Sequence, residues 1–468
     1  MTTNNLYNFF KTYKYIVIYL FPIPLILNLI KNILDNNFVF ALQNSPQTVE
    51  LINISIGFLL FIFYLNLGIF AKNITNLKYI TTNIVVFWSF IFAIDNILLF
   101  VTKSVKFDLY LYILFITFLI FGFYKKAKIK HFIYMMLSIV FLQLFIDYLN
   151  NYNLGFILEF EDIFTSDERR LWYPVTQNIF ENNYYSALTN NPFSGYGLFT
   201  SYVSALNSKL VIFDSIFSYA LGINYLFIFL FFLFLFEISK NKITFLILSS
   251  VFLSILLTSS WFTYVFFGSL LSEAISSFCF GVLFTEIHLS KKSERISFLL
   301  LLFSFGFLYF TRQFISVLVL IYLVFLIIRD KNLKFVVGFI PLLTKIIQSR
   351  LLPDTEIDPY INSTWLGNIY FNFGNIIKTF NQFFIDKPLT YLVLMFVVLS
   401  FLYMDNISKN YDFYLILILN TLFVFILMVF LWSKSDVQSS YRYILNVFYL
   451  MIYPLASIID YQFDLRKN

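Results

Sequence analysis

Asp167 and Glu168 stand side by side in the stretch Thr165-Ser166-Asp167-Glu168-Arg169-Arg170-Leu171-Trp172-Tyr173-Pro174. Two adjacent carboxylates held at a surface suit either of two tasks. One takes the proton from an attacking hydroxyl as general base. The other ligates a divalent metal such as Mg or Mn. Ser166 is a good helix N-cap, and acids in a first turn suit the positive end of the helix dipole. The pattern predicts a short amphipathic helix, interrupted near Pro174 and ending about Asn182. The same residues would also serve a capped interfacial helix whose acids only solvate a loop. Glu161-Asp162 is a rival acidic pair earlier in the same segment.

Two arginines are the complementary candidates. Arg312, in Tyr309-Phe310-Thr311-Arg312-Gln313-Phe314, lies between two apolar runs. Arg442, in Ser439-Ser440-Tyr441-Arg442-Tyr443, opens the last one. A guanidinium grips a phosphate through two parallel hydrogen bonds, and an arginine between hydrophobic segments is a functional hypothesis by default. Snorkelling to an interface is the plainer use of both. Glu273 stands near the start of another apolar run, where it can join such a site or pair with an arginine. Trp172 offers a face for stacking a sugar, although tryptophans at such boundaries usually belong to the aromatic belt. Asp95 falls inside an apolar run, where it marks a proton path or pairs locally.

What must position these groups follows from composition. Hydrophobic residues make up 60% of the 468, charged residues 12%, and Phe alone numbers 65. A soluble globule cannot hide that much apolar surface, so a soluble enzyme, a secreted domain and a disordered regulator are excluded. The apolar runs are continuous rather than alternating, which excludes a β-barrel. The fold class expected is all-α: a polytopic transmembrane bundle of about 12–14 spans with two long external loops. The runs are 15–34, 51–71, 80–101, 109–124, 131–149, 210–238, 243–266, 269–289, 296–311, 314–328, 335–347, 389–404, 412–432 and 443–461. The run 210–238 is too long for one upright helix, and its first half, Leu210 to Ile223, reads as an interfacial or re-entrant helix or a short extra span. With both termini cytoplasmic, 19 of the 32 basic residues fall on the inside, as the positive-inside rule asks. The first run has no clear cleavage site after it and is expected to be retained.

Five segments result: N-terminal spans 1–149, an external acidic loop with an interfacial helix 150–209, central spans 210–347, a second external loop 348–388, and C-terminal spans 389–468. The two loops are where function is expected. Cys279 is the lone cysteine and His131 and His288 the only histidines. No phosphate-binding glycine loop, dinucleotide turn, cysteine metal motif or nucleophile elbow is present. An ATP-driven pump or a cytosolic nucleotide-sugar enzyme is not expected, nor is a nucleic-acid partner.

With these residues in place, the chain resembles the polytopic GT-C glycosyltransferases, which use polyprenyl-phosphate sugars. Asp167-Glu168 matches their acidic motif in a long external loop. Asn191-Pro192-Phe193-Ser194-Gly195-Tyr196-Gly197-Leu198-Phe199 resembles their turn back to the membrane, with Tyr196 toward the substrate, and the helix from Tyr202 onward the return. Tyr441-Arg442-Tyr443 through Pro454 is similar to their late span, and Thr311-Arg312 to a Thr-Arg pair of several members. The resemblance covers about 150–461. It departs from the family pattern in placing about four extra spans before the acidic loop, and in lacking a soluble C-terminal domain.

The resemblance implies a bacterial plasma-membrane enzyme. It would move a sugar from a polyprenyl-phosphate donor to a glycan, lipid or protein acceptor on the external face, with inversion. Asp167 would be the base, and Glu168 its assistant or a metal ligand. Arg312 and Arg442 would hold the phosphate, among membrane lipids. An O-antigen polymerase or ligase-like enzyme would share the spans and loops but would want a histidine in a loop, and neither loop has one. A flippase or transporter would need a polar mid-membrane cavity, for which Asp95 is the only evident charge.

Overall fold

The computed structural model describes residues 20, 22–34, 47–102, 107–125, 127–151, 173–181, 187, 198–211, 217–259, 272–290, 296–311, 313–351, 387–426 and 444–464. Among them every element is helical and there is no strand. In chain order the helices are α1 (Ile23–Leu34), α2 (Gln47–Thr75), α3 (Ile80–Thr102), α4 (Phe107–Tyr124), α5 (Ile129–Asn151), α6 (Tyr173–Phe180), α7 (Phe199–Val211), α8 (Phe217–Ile238), α9 (Lys242–Thr258), α10 (Ser272–Ser290), α11 (Ile296–Gly306), α12 (Gln313–Asp330), α13 (Ile340–Leu351), α14 (Lys387–Leu402), α15 (Met404–Lys409), α16 (Tyr411–Ile426) and α17 (Ile444–Asp464). Short 3-10 turns cover Phe307–Phe310 and Leu333–Phe339.

Three helical stretches are long and apolar enough to cross a membrane: Ile54–Thr75, Ile80–Leu98 and Ile129–Asp147. They coincide with three of the runs read from the sequence. Shorter apolar helices, from Phe115–Tyr124 to Tyr411–Leu422, occupy others. Of the second stretch 78% is buried inside the fold, and of the third only 22%. α5 shows why the third is so exposed. Ile133, Leu137, Val140, Phe141 and Leu144 recur at helical spacing and all lie exposed, an apolar stripe with no polar relief.

The chain forms two compact units. One is Asn44–Phe231 with Phe267–Asn362; the other is Met1–Gln43, Phe232–Phe266 and Ser363–Asn468. The first is built on the α2–α3 hairpin. Asn76 closes α2 with a φ of 56°, a left-handed conformation that asparagine tolerates better than most residues. Its N–H reaches the Lys72 carbonyl at 3.0 Å. α10 docks on the start of α3 through Glu286. One carboxylate oxygen accepts from the Lys78 N–H at 2.9 Å, and the other from the Thr82 hydroxyl at 3.3 Å. A buried acid thereby satisfies orphan donors at a helix N-terminus, where negative charge is favoured.

In the same unit, α11 and the 333–339 turn meet backbone to backbone. A Cβ on Gly306 would collide with the Gly338 carbonyl oxygen and come within 3.0 Å of Pro341 Cδ. Small residues are what permit such an approach between apolar helices. Gly306→Ala should therefore lower stability by about 1–3 kcal/mol, as overpacking does. Gly338→Ala, whose Cβ would first meet the flexible end of Leu323, should cost less. Thermal unfolding of the two variants in detergent checks the order.

The second unit is tied by Asp460 of α17, which is 3% exposed. Its carboxylate accepts from the N–H of Lys240 at 2.9 Å, the N–H and side-chain amide of Asn241 at 3.2 Å each, and the Thr244 hydroxyl at 2.6 Å. It thus caps the start of α9. α16 and α17 run antiparallel. Phe413 stacks on Tyr453 with ring centroids 4.9 Å apart, and the Tyr403 hydroxyl donates to Gln462 at 2.9 Å.

Candidate functional site

One group of buried polar side chains in the first unit lies around the C-terminal half of α3, away from the Glu286 cap. α3 contributes a stripe, Trp88, Phe92, Asp95 and Asn96, at helical spacing, and all four are buried. Opposite it lies α7. Six of this helix's thirteen residues are polar, Thr200, Ser201, Ser204, Asn207, Ser208 and Lys209, yet every residue from Leu198 to Asn207 is buried. Such a helix belongs in an apolar bundle only if partners meet it. Some do. The Tyr202 hydroxyl donates to Asp95 Oδ2. The Tyr64 hydroxyl donates to Asn207 Oδ1 at 2.6 Å, and Tyr64 packs edge-on against Trp88 at 5.1 Å. Others are left over. Asp95 Oδ1 and the hydroxyls of Thr200, Ser201 and Tyr309 are buried with no hydrogen-bond partner among the described residues.

Phe92 sits at the hub. Its ring lies 5.4 Å from Phe199, 5.2 Å from Tyr202, 5.7 Å from Phe307 and 5.3 Å from Phe310. α13 closes the cluster. Pro341, Lys345 and Gln348 share its inward face, whereas Ile340, Leu343, Ile346 and Ile347 are exposed on the other. The Asn96 amide donates to Gln348 Oε1 at 3.1 Å, and Lys345 Nζ donates to the Tyr309 carbonyl at 2.6 Å.

Chain direction fixes what else reaches this end. α3 and α10 are antiparallel through Glu286. Thirteen residues separate Thr82 from Asp95, and thirteen separate Glu273 from Glu286, about 20 Å of helix in each case. Glu273, in the first turn of α10, therefore has its backbone at the level of Asp95; its side chain lies outside the described residues. α5 pairs with α2 through His131 and Asn66 at 3.0 Å. The basic residues of the hairpin turns, Lys72, Lys78, Lys125, Lys128, Lys130, Arg329, Lys331 and Lys334, mark the other end.

Asp167, Glu168, Trp172, Tyr196, Arg312 and Arg442 lie outside the described residues, as do Glu161 and Asp162. The possible divalent-metal ligands, Asp167 and Glu168, are among these. One expectation can be compared directly with the structure. Asp95 does not pair locally; its partner Tyr202 is 107 residues away. Of the helix expected around Pro174, Tyr173–Phe180 is helical (α6), and the stretch before Tyr173 lies outside the described residues. Of the run 210–238, Leu210 and Val211 are the last described residues of α7 and Phe217–Ile238 form α8, while 212–216 lie outside the described residues.

Sequence reasoning passed over Lys345, Gln348, Tyr202 and Asn207 as site residues. The spacing of Pro341, Lys345 and Gln348, four and then three residues apart inside an apolar run, was the available signal for the first two. A polar helix directly after an acidic loop was the signal for the others. Compared with known protein families, curated proteins and solved structures, the chain matches none.

Proposed function

We propose that this chain is a polytopic membrane glycosyltransferase of about 12–14 spans, moving a sugar from a polyprenyl-phosphate donor to an acceptor hydroxyl at the external face. The observation that supports it is the placement of α7: a helix carrying several hydroxyl and amide side chains, buried from Phe199 to Asn207 in an otherwise apolar bundle and following the acidic segment in the chain. The basic turns at the opposite end supply the orientation, since lysines and arginines collect on the cytoplasmic side. The Asp95 end is then external.

The chemistry follows from charge. The donor's tail lies in the bilayer with its sugar phosphate at the outer surface. Asp167 takes the proton of the acceptor hydroxyl as that oxygen forms a bond to the anomeric carbon. The bond from that carbon to the phosphate oxygen breaks, and its electron pair leaves with the phosphate. Arg312 and Arg442 hold the negative charge that grows there. One displacement inverts the anomeric centre. Glu168 assists the base, while Glu273, Tyr196 and Trp172 position the sugar.

The test is a transfer assay with the full chain in liposomes, offered a panel of polyprenyl-phosphate sugars with the sugar labelled. Label moving to an acceptor with inverted configuration is the expected result. Elongation of a lipid-linked glycan instead would identify a polymerase, and bilayer crossing without bond cleavage a flippase.

A further inference from the structure

Among the described residues of the first unit, Lys345 stands out as a cation that the fold only partly engages. Lys345 and Arg350 both lie on α13, but they behave differently. Arg350 is exposed, the usual disposition of a long basic side chain at a helix end. Lys345 is half-buried and turned to the inward face, with its ammonium 6.0 Å from the Phe310 ring centroid. An ammonium carries three donors. The fold engages one of them, with the Tyr309 carbonyl. Among the described residues no carboxylate lies within ion-pair distance of it. Asp95 is the neighbour of Asn96, which bonds Gln348 one turn beyond Lys345, yet Asp95 is paired with Tyr202 instead. The carbonyl that Lys345 takes also belongs to the turn that runs directly into Thr311-Arg312.

We propose that Lys345 is a phosphate-contacting residue of a ligand site at the Asp95 end of the first unit, its free N–H donors meeting the phosphate of a lipid-borne ligand. This rests on the transferase reading for the identity of the lipid, and on the side-chain arrangement alone for the anion. A capping lysine with no ligand would also bond a carbonyl, so the test needs a readout that capping does not move.

Purified full-length protein is placed in phosphatidylcholine nanodiscs. Binding is measured for polyprenyl phosphate, for the polyprenol of equal chain length, for phosphatidylglycerol and for inorganic phosphate. In Lys345→Gln, which keeps a donor for Tyr309, polyprenyl phosphate should bind about tenfold or more weakly, the loss of one charge-assisted contact. Polyprenol should be unaffected, and Lys345→Arg should retain most of the affinity. Phosphatidylglycerol or inorganic phosphate losing affinity in Lys345→Gln would uphold the anion contact and assign it to that source. Equal affinity of Lys345→Gln and the native chain for every anion overturns the proposal. So does an equal loss for polyprenol and its phosphate, which would mark a purely structural lysine. Lys345-dependent binding without any sugar transfer would instead sink the transferase reading and leave this one standing.

Discussion

Asp167→Asn is expected to reduce sugar transfer by about 10²- to 10⁴-fold, the range a positioned general base contributes, with unchanged abundance in the membrane. The substitution keeps the shape of the side chain and removes its ability to accept a full proton. A carboxylate that only capped or solvated a loop would be replaced at little cost, since asparagine caps helices as well as aspartate does. Comparison with Glu161→Gln and Asp162→Asn separates the two acidic pairs. Activity surviving in Asp167→Asn while either of the others abolishes it would move the base to the earlier pair. Activity surviving in all three would remove carboxylate catalysis from the segment. Initial rates with saturating donor are the measurement, because a base acts on the bond-making step and not on donor affinity.

The helical class and three crossing-length stretches were legible because they depend on long-range composition and on continuous apolar runs, which no local rule can mask. Ile80–Leu98 and Ile129–Asp147 read alike in sequence, however, and their opposite burial comes from which neighbours pack around them. Asp95 illustrates the limit of one-dimensional reading. Its position inside a run was visible, but its partner was not, since Tyr202 stands on a helix that hydropathy does not single out. α7 is short and mixed in polarity, so hydropathy gives it no span, and its burial depends on partners such as Tyr64 and Asp95 that the sequence does not place. Lys345 was hidden for the converse reason. A lysine near the end of an apolar run normally snorkels, and only the facing Tyr309 carbonyl shows that it turns inward. The carboxylates and arginines chosen from residue type alone carry a chemical argument, whereas the groups found at the Asp95 end carry a geometric one. They meet at α7, which follows directly on the acidic segment.

The second large effect concerns stability rather than turnover. Asp460→Ala should lower unfolding free energy by about 3–5 kcal/mol, because it leaves several donors around a buried carboxylate site without an acceptor. The carboxylate accepts four hydrogen bonds. Two come from the backbone N–H groups of Lys240 and Asn241, at the start of α9, where no carbonyl of the preceding turn is available. Alanine leaves those donors and the buried Thr244 hydroxyl without an acceptor, and each such group costs about 1–3 kcal/mol. The sum of separate penalties exceeds the expected loss because water can enter at Lys240 and Asn241, which are less buried than Thr244. Asp460→Asn keeps one acceptor oxygen and should fall between alanine and the native residue. Thermal unfolding in detergent gives the ranking. Hydrogen exchange at residues 240–245 should accelerate in both variants, in the same order, because the first turn of α9 frays when its cap is removed. If Asp460→Ala matches the native protein in both measurements, the carboxylate is not what joins α9 to α17, and the apolar contacts of Phe252 with Phe448, 6.0 Å apart, hold that pair unaided.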